Sequence, residues 1–305
     1  MSEPESTLPP LPCMNIVGAG KLGRTLARLL SDAGLITIGG IYNRDAENSR
    51  SALAFIGTGH VVNNIEHLSD HPASLWMLAT PDAAIHNCAL QLAALADINW
   101  QNSLVFHSSG LKTSAELAPL QKLGSAIASV HPAHSFASPE RSLSSFASTV
   151  CTLEGDTPAI DQLNMLFSAI GGQTTLIEAA VKPLYHAATV MASNYLVTLL
   201  SSSQALLTRA GIDESLASAI LSPLMQQSLQ NGLEVGPLKA LTGPIARGDI
   251  DTLQAHLDTI EQYQPGLLRT YTSLGLQALK LARQQGSLEQ QKLSAMAQLF
   301  NAKKT

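Results

Sequence analysis

The sequence predicts an α/β protein in two parts, a parallel sheet interleaved with helices over residues 13–177 and an all-helical region over 178–305. Three observations carry that reading. An apolar run, Met14 to Val17, ends in Gly18-Ala19-Gly20-Lys21-Leu22-Gly23 and passes into helical spacing at Leu22, Leu26, Leu29 and Leu30. Short, continuous apolar runs such as Leu75 to Ala79 then recur between helical stretches, as in sheets covered on both faces. From about Glu178 the strand-and-glycine rhythm stops and helical stretches without repeats take over.

The glycine motif reads as a strand, a tight turn and a helix. Gly18 permits the turn, Gly20 removes a side chain that would block a pyrophosphate, and Gly23 lets helix and strand approach closely. Free N–H groups and the positive end of the helix dipole then face phosphate, so Gly18, Ala19, Gly20, Lys21, Leu22 and Gly23 are expected to bind a dinucleotide in a Rossmann unit. Gly34 is the expected C′ residue of this helix, and Leu35 to Tyr42 the second strand. After it stand Asn43, Arg44 and Asp45. Asn43 and Arg44 suit a 2′-phosphate, so NADP is favoured, while Asp45 leaves NAD open.

Ser49 to Phe55 and Ala83 to Leu95 are expected helices, with strands at Val61-Val62, Leu75 to Ala79, Ser103 to Phe106 and Ala126 to Val130. Three of these strands run into polar clusters: Thr80-Pro81-Asp82, His107-Ser108-Ser109-Gly110, and His131-Pro132-Ala133-His134. All fall at the carboxyl edge where open α/β sheets bind ligands, on the rim of the glycine loop. Thr80, Pro81 and Ser108 are expected to wall the nicotinamide. His131 is a candidate acid/base and Ser109 a candidate substrate contact. His107 and His134 read as ordinary loop histidines. His131-x-x-His134 has a metal-like spacing, but Pro132 breaks regular helix there and no third ligand follows, so no metal is expected. Thr149 to Leu153 and Thr174 to Ile177, around a helix from Pro158 to Ile170, extend or flank the sheet.

In the second half Glu178 to Ala210 reads as one long helix. Asp213 to Leu221, Pro223 to Leu233 (capped by Ser222), Asp249 to Tyr263 (capped by Asp249), Pro265 to Gln285 and Ser287 to Asn301 (opened by a Ser287-x-x-Gln290 capping box) follow. At about 100° per residue, Lys182, His186, Thr189 and Ser193 share one face of the long helix. Asn194 stands at the edge of that stripe and needs a kink to join it. Lys182 is the expected proton donor to a carbonyl oxygen, with His186 orienting substrate or sharing the proton. The glycine-broken turn Thr242 to Asp249 carries Arg247, a candidate for a substrate carboxylate.

Composition excludes several function classes. The chain has 305 residues, 45% of them hydrophobic, and a net charge of −5, with no Lys/Arg-rich run to suggest a nucleic-acid partner. Cys13, Cys88 and Cys151 are odd in number and widely spaced, and read as reduced thiols of a cytoplasmic protein. No apolar stretch is long enough for a membrane span. Met1 to Pro12, with four prolines and neither a basic nor an apolar signal region, reads as a disordered tail over residues 1–12.

Nearly end to end, the chain resembles a bacterial group of Rossmann-like proteins whose second half is the DUF2520 domain. The motifs that carry the resemblance are Asn15 to Gly23, His107 to Gly110, His131-Pro132 with Ser135-Phe136, Lys182 to Ala188, Asn194-Tyr195-Leu196, and Thr242-Gly243-Pro244 with Arg247-Gly248-Asp249. The wider superfamily, with a 6-phosphogluconate dehydrogenase-like C-terminal domain, includes β-hydroxyacid dehydrogenases, ketopantoate reductases, pyrroline-5-carboxylate reductase and prephenate dehydrogenase. The hydroxyacid dehydrogenases and ketopantoate reductases carry a catalytic Lys-x-x-x-Asn; Lys182 matches it and His186 replaces the asparagine. Prephenate dehydrogenases place a serine and a His-Pro as at Ser109 and His131-Pro132. The resemblance implies NADP-dependent hydride transfer to a small carbonyl compound such as ketopantoate. It makes Ser193, Asn194 and Arg247 candidate substrate contacts and implies a homodimer through the helical domain. A non-enzymatic NADP sensor and a deazaflavin-linked NADP oxidoreductase are the competing expectations.

Overall fold

One eight-stranded sheet organises the first part of the chain. The structure, a computed structural model, describes residues 11–303. Its strands are β1 (Cys13–Val17), β2 (Thr37–Tyr42), β3 (His60–Val62), β4 (Leu75–Leu78), β5 (Leu104–His107), β6 (Ala126–Pro132), β7 (Val150–Gly155) and β8 (Gln173–Leu176). They lie in the order β3-β2-β1-β4-β5-β6-β7-β8. Only β6 and β7 pair antiparallel. The parallel register sets Val17 beside Leu78, Leu78 beside His107 and His107 beside Ser129, so the glycine loop and the polar clusters do share one carboxyl edge.

Apolar side chains cover both faces, one around Met14, Ile16, Leu26, Met77, Phe106 and Phe167, the other around Leu78, Trp76, Ile85, Val105 and Leu117. This double burial is why the strands read as continuous apolar runs. The polar exception inside β1 is Asn15: its Oδ1 accepts the Gly40 N–H at 2.7 Å and its Nδ2 donates to the His71 carbonyl at 2.8 Å. The buried amide thus stitches β1 to β2 and to the loop before β4.

The helices of this part are α1 (Lys21–Asp32), α2 (Ala46–Ile56), α3 (Asp82–Ala93), α4 (Ala118–Gln121), α5 (Pro139–Ser145), α6 (Thr157–Ala169) and α7 (Lys182–Ala192). Most of the expected tail, residues 1–10, lies outside the described residues; Pro12 is tied in, its carbonyl accepting the Thr37 N–H at 3.1 Å. Gly34 has the positive φ of a helix-ending residue, 65°.

Two compact units divide the chain, the first ending at Ser193 and the second beginning at Asn194. The sequence reading put this division at 177/178, whereas the contacts of Lys182 and Tyr185 described below hold α7 with the sheet. The long helix expected over 178–210 is interrupted at Ser193, where φ is −109° and ψ −71°.

The second unit comprises α8 (Asn194–Arg209), α9 (Glu214–Val235), α10 (Pro237–Ala240), α11 (Pro244–Arg247), α12 (Ile250–Tyr263), α13 (Leu268–Gln285) and α14 (Gln290–Ala302). Its core gathers Leu253, Leu257, Leu279, Leu293, Met296 and Phe300. Asp249 caps α12 as expected, accepting the Thr252 N–H at 3.1 Å. Two local expectations are corrected. The helix α9 runs through Pro223 rather than restarting after Ser222, and its N-cap is Asp213. The residue before α14 is Glu289, not Ser287, with no side-chain cap, so no capping box forms.

Candidate active site

The glycine turn has the geometry its residues imply. Gly18 has φ of 89°, and a Cβ there would meet Thr80 Cγ2 at 2.7 Å and the Thr80 nitrogen at 2.8 Å. Gly23 lies against the Gly18 carbonyl, which a Cβ would meet at 2.7 Å. A Cβ on Gly20 would meet nothing within 4 Å. The middle glycine therefore keeps space open rather than permitting close packing. Gly20 also heads α1 without any side-chain cap, so the first N–H groups of that helix face the same opening.

A cleft of about 500 Å³ opens here, lined by Gly18, Gly20, Asn43, Arg44, Thr80 and Pro81 among others. Asn48, Tyr42 and Cys88 also line it and went unnoticed in the sequence. The Thr80 hydroxyl is buried without a hydrogen-bond partner. Asn43 is held by Ser49 Oγ, 2.9 Å from its backbone nitrogen and 3.2 Å from Nδ2. The Asp45 carboxylate accepts the Glu47 N–H at 2.9 Å and so caps α2. Arg44 forms no side-chain hydrogen bond or ion pair among the described residues. Of the other expected cofactor residues, Ala19 is fully buried, Lys21 is exposed on the first turn of α1, and Leu22 packs on the core. Ser108, with a buried unpartnered hydroxyl, stands in the loop after β5.

Lys182 is 1% exposed. Its Nζ donates to Ser129 Oγ at 2.6 Å and to Glu154 Oε1 at 3.2 Å. Glu154 also accepts from the Ser114 nitrogen at 2.7 Å and from Ser114 Oγ at 2.8 Å. Burial pushes the lysine pKa down, against the opposing pull of Glu154. Lys182, the expected proton donor, is enclosed by these protein partners and is not among the residues that line the cleft. Ser129 relays the contact, donating to the Ser109 carbonyl at 3.2 Å. Sequence reading missed Ser129, Ser114 and Glu154; the available signal was a single carboxylate in the otherwise uncharged strand β7.

Ser109 and His107 hold the loop. Ser109 Oγ accepts the N–H groups of Leu111 and Lys112 at 3.1 and 2.8 Å. His107 Nδ1 accepts the Ser109 N–H at 3.2 Å, which leaves its Nε2 to donate to the Thr113 carbonyl at 2.9 Å. That fixes His107 as a neutral imidazole. Burial lowers its pKa further. His134 contacts Ser145 and Thr149, in keeping with an ordinary loop histidine.

His131 and His186 do come together. His131 is the penultimate residue of β6, paired across to Thr152, and its ring meets that of His186 edge-on with centroids 5.8 Å apart. A Cβ on Gly110 would meet His186 Nδ1 at 2.6 Å and His131 Nε2 at 2.9 Å. Both imidazole nitrogens thus pack closely over the Gly110 Cα, where any side chain would collide with them. The His186 Nδ1 is buried without a partner. Burial, then His186 and Lys182, lower the His131 pKa to about 4, so it is neutral at pH 7. Thr189 bonds back to the His186 carbonyl and Ser193 is exposed. Asn194 and Arg247, in the second unit, are exposed. Among the described residues no group of three metal-ligating side chains occurs.

Fold and site together define a Rossmann-type dinucleotide-binding protein with an added helical unit. Residues 4–132 match the model of the Rossmann-like domain and residues 149–278 that of the domain of unknown function DUF2520. Protein TM1727 of Thermotoga maritima is similar at 26% identity and TM-score 0.66, over 89% of this chain and 98% of that one. A putative NADP oxidoreductase of Bacteroides fragilis is similar at 19% identity and TM-score 0.74, over 90% and 98%. The pyrroline carboxylate reductase of Plasmodium falciparum, solved with NADP bound, is similar at 12% identity and TM-score 0.57, over 96% and 98%. None of the curated proteins compared with the chain matches it in sequence.

Proposed function

We propose that this protein is an NADP-dependent oxidoreductase that reduces a small carbonyl compound, with a keto acid such as ketopantoate as the substrate class to test first. The observation that carries the reading is the pair of imidazoles meeting above Gly110, on the strand edge that also bears the glycine cleft. The cleft residues fit the cofactor: Gly20 leaves open space, the Thr80 hydroxyl is orphaned, and Arg44 is uncommitted where Asp45 is engaged as a cap. Gly18 to Gly23 would hold the pyrophosphate, Asn43 and Arg44 the 2′-phosphate, and Thr80, Pro81 and Ser108 the nicotinamide side. NADP supplies hydride when bound.

As hydride reaches the carbonyl carbon, His186 protonated on Nδ1 would give that proton to the substrate oxygen, and His131 would donate a hydrogen bond to it. Lys182 contributes a fixed positive charge and braces β6 against β7 through Ser129 and Glu154. Ser193, Asn194 and Arg247 remain the candidates for the rest of the substrate. Similarity to a pyrroline carboxylate reductase adds cyclic imines to the compounds worth assaying.

A homodimer through the helical unit belongs to the same reading. Within α8 and α9 the only charged residues are Arg209, Glu214 and Glu234, and Tyr195, Val197, Leu224 and Leu233 are exposed. Contiguous exposed apolar surface of this kind marks an interface. No helix among the described residues is long and apolar enough to cross a membrane, in keeping with the cytoplasmic location we propose. The test is NADPH consumption across keto acids, cyclic imines and prephenate-like acids. Tight NADPH binding without turnover of any of them would favour a sensor instead.

A further inference from the structure

Beside the two converging imidazoles stands a residue that the reading above leaves without a role. Tyr185 precedes His186 on α7, and its hydroxyl lies 2.9 Å from His131 Nδ1, with the two rings edge-on at 5.5 Å between centroids. The other ring nitrogen, Nε2, is the one that faces the point above Gly110. Which nitrogen carries the proton therefore depends on which way the tyrosine bond runs. A phenol that donates to Nδ1 fixes the hydrogen on Nε2; a phenol that accepts puts it on Nδ1 and leaves a lone pair at the site.

We propose that Tyr185 is a positioning residue that donates to Nδ1 and holds His131 in the Nε2–H tautomer, so that a fixed N–H rather than a lone pair is turned towards Gly110 and His186. This rests on the oxidoreductase reading for its chemistry but not for its geometry. On that reading a carbonyl oxygen that reaches His131 accepts a hydrogen bond from the ring and meets no competing lone pair there. The arrangement also explains Gly110. A methyl there would collide with both rings at once, so the position has to be glycine for the two rings to pack this closely over it. Burial raises the Tyr185 pKa, so the phenol keeps the proton it donates.

The test is nitrogen-15 NMR of histidine-labelled protein, with the His131 signals assigned by their loss in His131→Asn. In the wild type the account expects a neutral Nε2–H ring at pH 7. In Tyr185→Phe it expects a mixture of tautomers, because the bond that selects one of them has been removed. The low His131 pKa itself comes from burial first, then from His186 and Lys182 of α7, with Asp82 of α3 opposing. In a turnover assay Tyr185→Phe should lower kcat about tenfold and leave the KM for NADPH unchanged. An Nδ1–H ring in the wild type, or an unchanged tautomer in Tyr185→Phe, would overturn the proposal. Failure of every substrate to turn over would sink the oxidoreductase reading and leave the NMR result to decide this one.

Discussion

Lys182 Nζ lies 3.2 Å from Glu154 Oε1, and both side chains are almost completely enclosed, at 1% and 8% exposure. An ion pair so placed costs a great deal to break and little to remove whole. Lys182→Met and Glu154→Gln should each lower stability to urea by about 3 kcal/mol or more, because each leaves one buried charge alone. The double variant Lys182→Met/Glu154→Leu should recover most of that loss. It should also keep turnover within about tenfold of wild type, since Lys182 acts here through Ser129 and Glu154 and not on substrate. A loss of about a thousandfold in kcat, with the fold intact, would return Lys182 to the role of proton donor.

The three glycines of the phosphate turn should separate stability from binding. In Gly20→Ala the new methyl meets nothing within 4 Å, so the unfolding midpoint should stay within about 0.5 kcal/mol of wild type while the Kd for NADPH rises at least about tenfold. Gly18→Ala, strained at φ of 89° and pressed on Thr80, should lose about 2 kcal/mol or more of stability as well. Denaturant titration beside fluorescence titration with NADPH reads both quantities.

Cofactor choice turns on Arg44. Replacing it with alanine removes a free guanidinium from the cleft edge and should weaken NADPH binding by about 2 kcal/mol, or roughly thirtyfold, with little change for NADH. Equal losses for both cofactors would place the 2′-phosphate elsewhere.

His131 makes stability depend on pH. Its pKa is about 4 in the folded protein and near 6.5 when unfolded, so between those values the unfolded chain binds more protons. Stability should therefore fall as pH falls through this window, by about 3 kcal/mol from this group alone. Urea unfolding at pH 7 and pH 4.5 should show a smaller difference for His131→Asn than for wild type.

The parallel sheet, the glycine turn and the carboxyl-edge clusters were legible because each is a local pattern: double-sided burial makes unbroken apolar runs, and phosphate turns need glycine at fixed spacing. The convergence of His131 and His186 was half legible, since both stood out as candidates, but their meeting above Gly110 depends on how α7 returns to β6. What could not be read was the partner of Lys182. Helical spacing groups Lys182 with His186, yet the side chain is claimed by Glu154 from β7, and nothing in a one-dimensional pattern pairs a helix lysine with a strand carboxylate. The break at Ser193 and the passage of α9 through Pro223 escaped as well, since serine is no strong helix breaker and proline more often opens a helix than continues one.

The central claim is hydride transfer beside the His131–His186 pair, and the most direct measurement follows the hydrogen itself. Protein incubated with NADPH deuterated at the nicotinamide C4 and a panel of keto acids and cyclic imines should yield a reduced product one mass unit heavier, with little formed by His131→Asn or His186→Asn. Firm NADPH binding with no deuterium in any product, or equal transfer by both histidine variants, would contradict it.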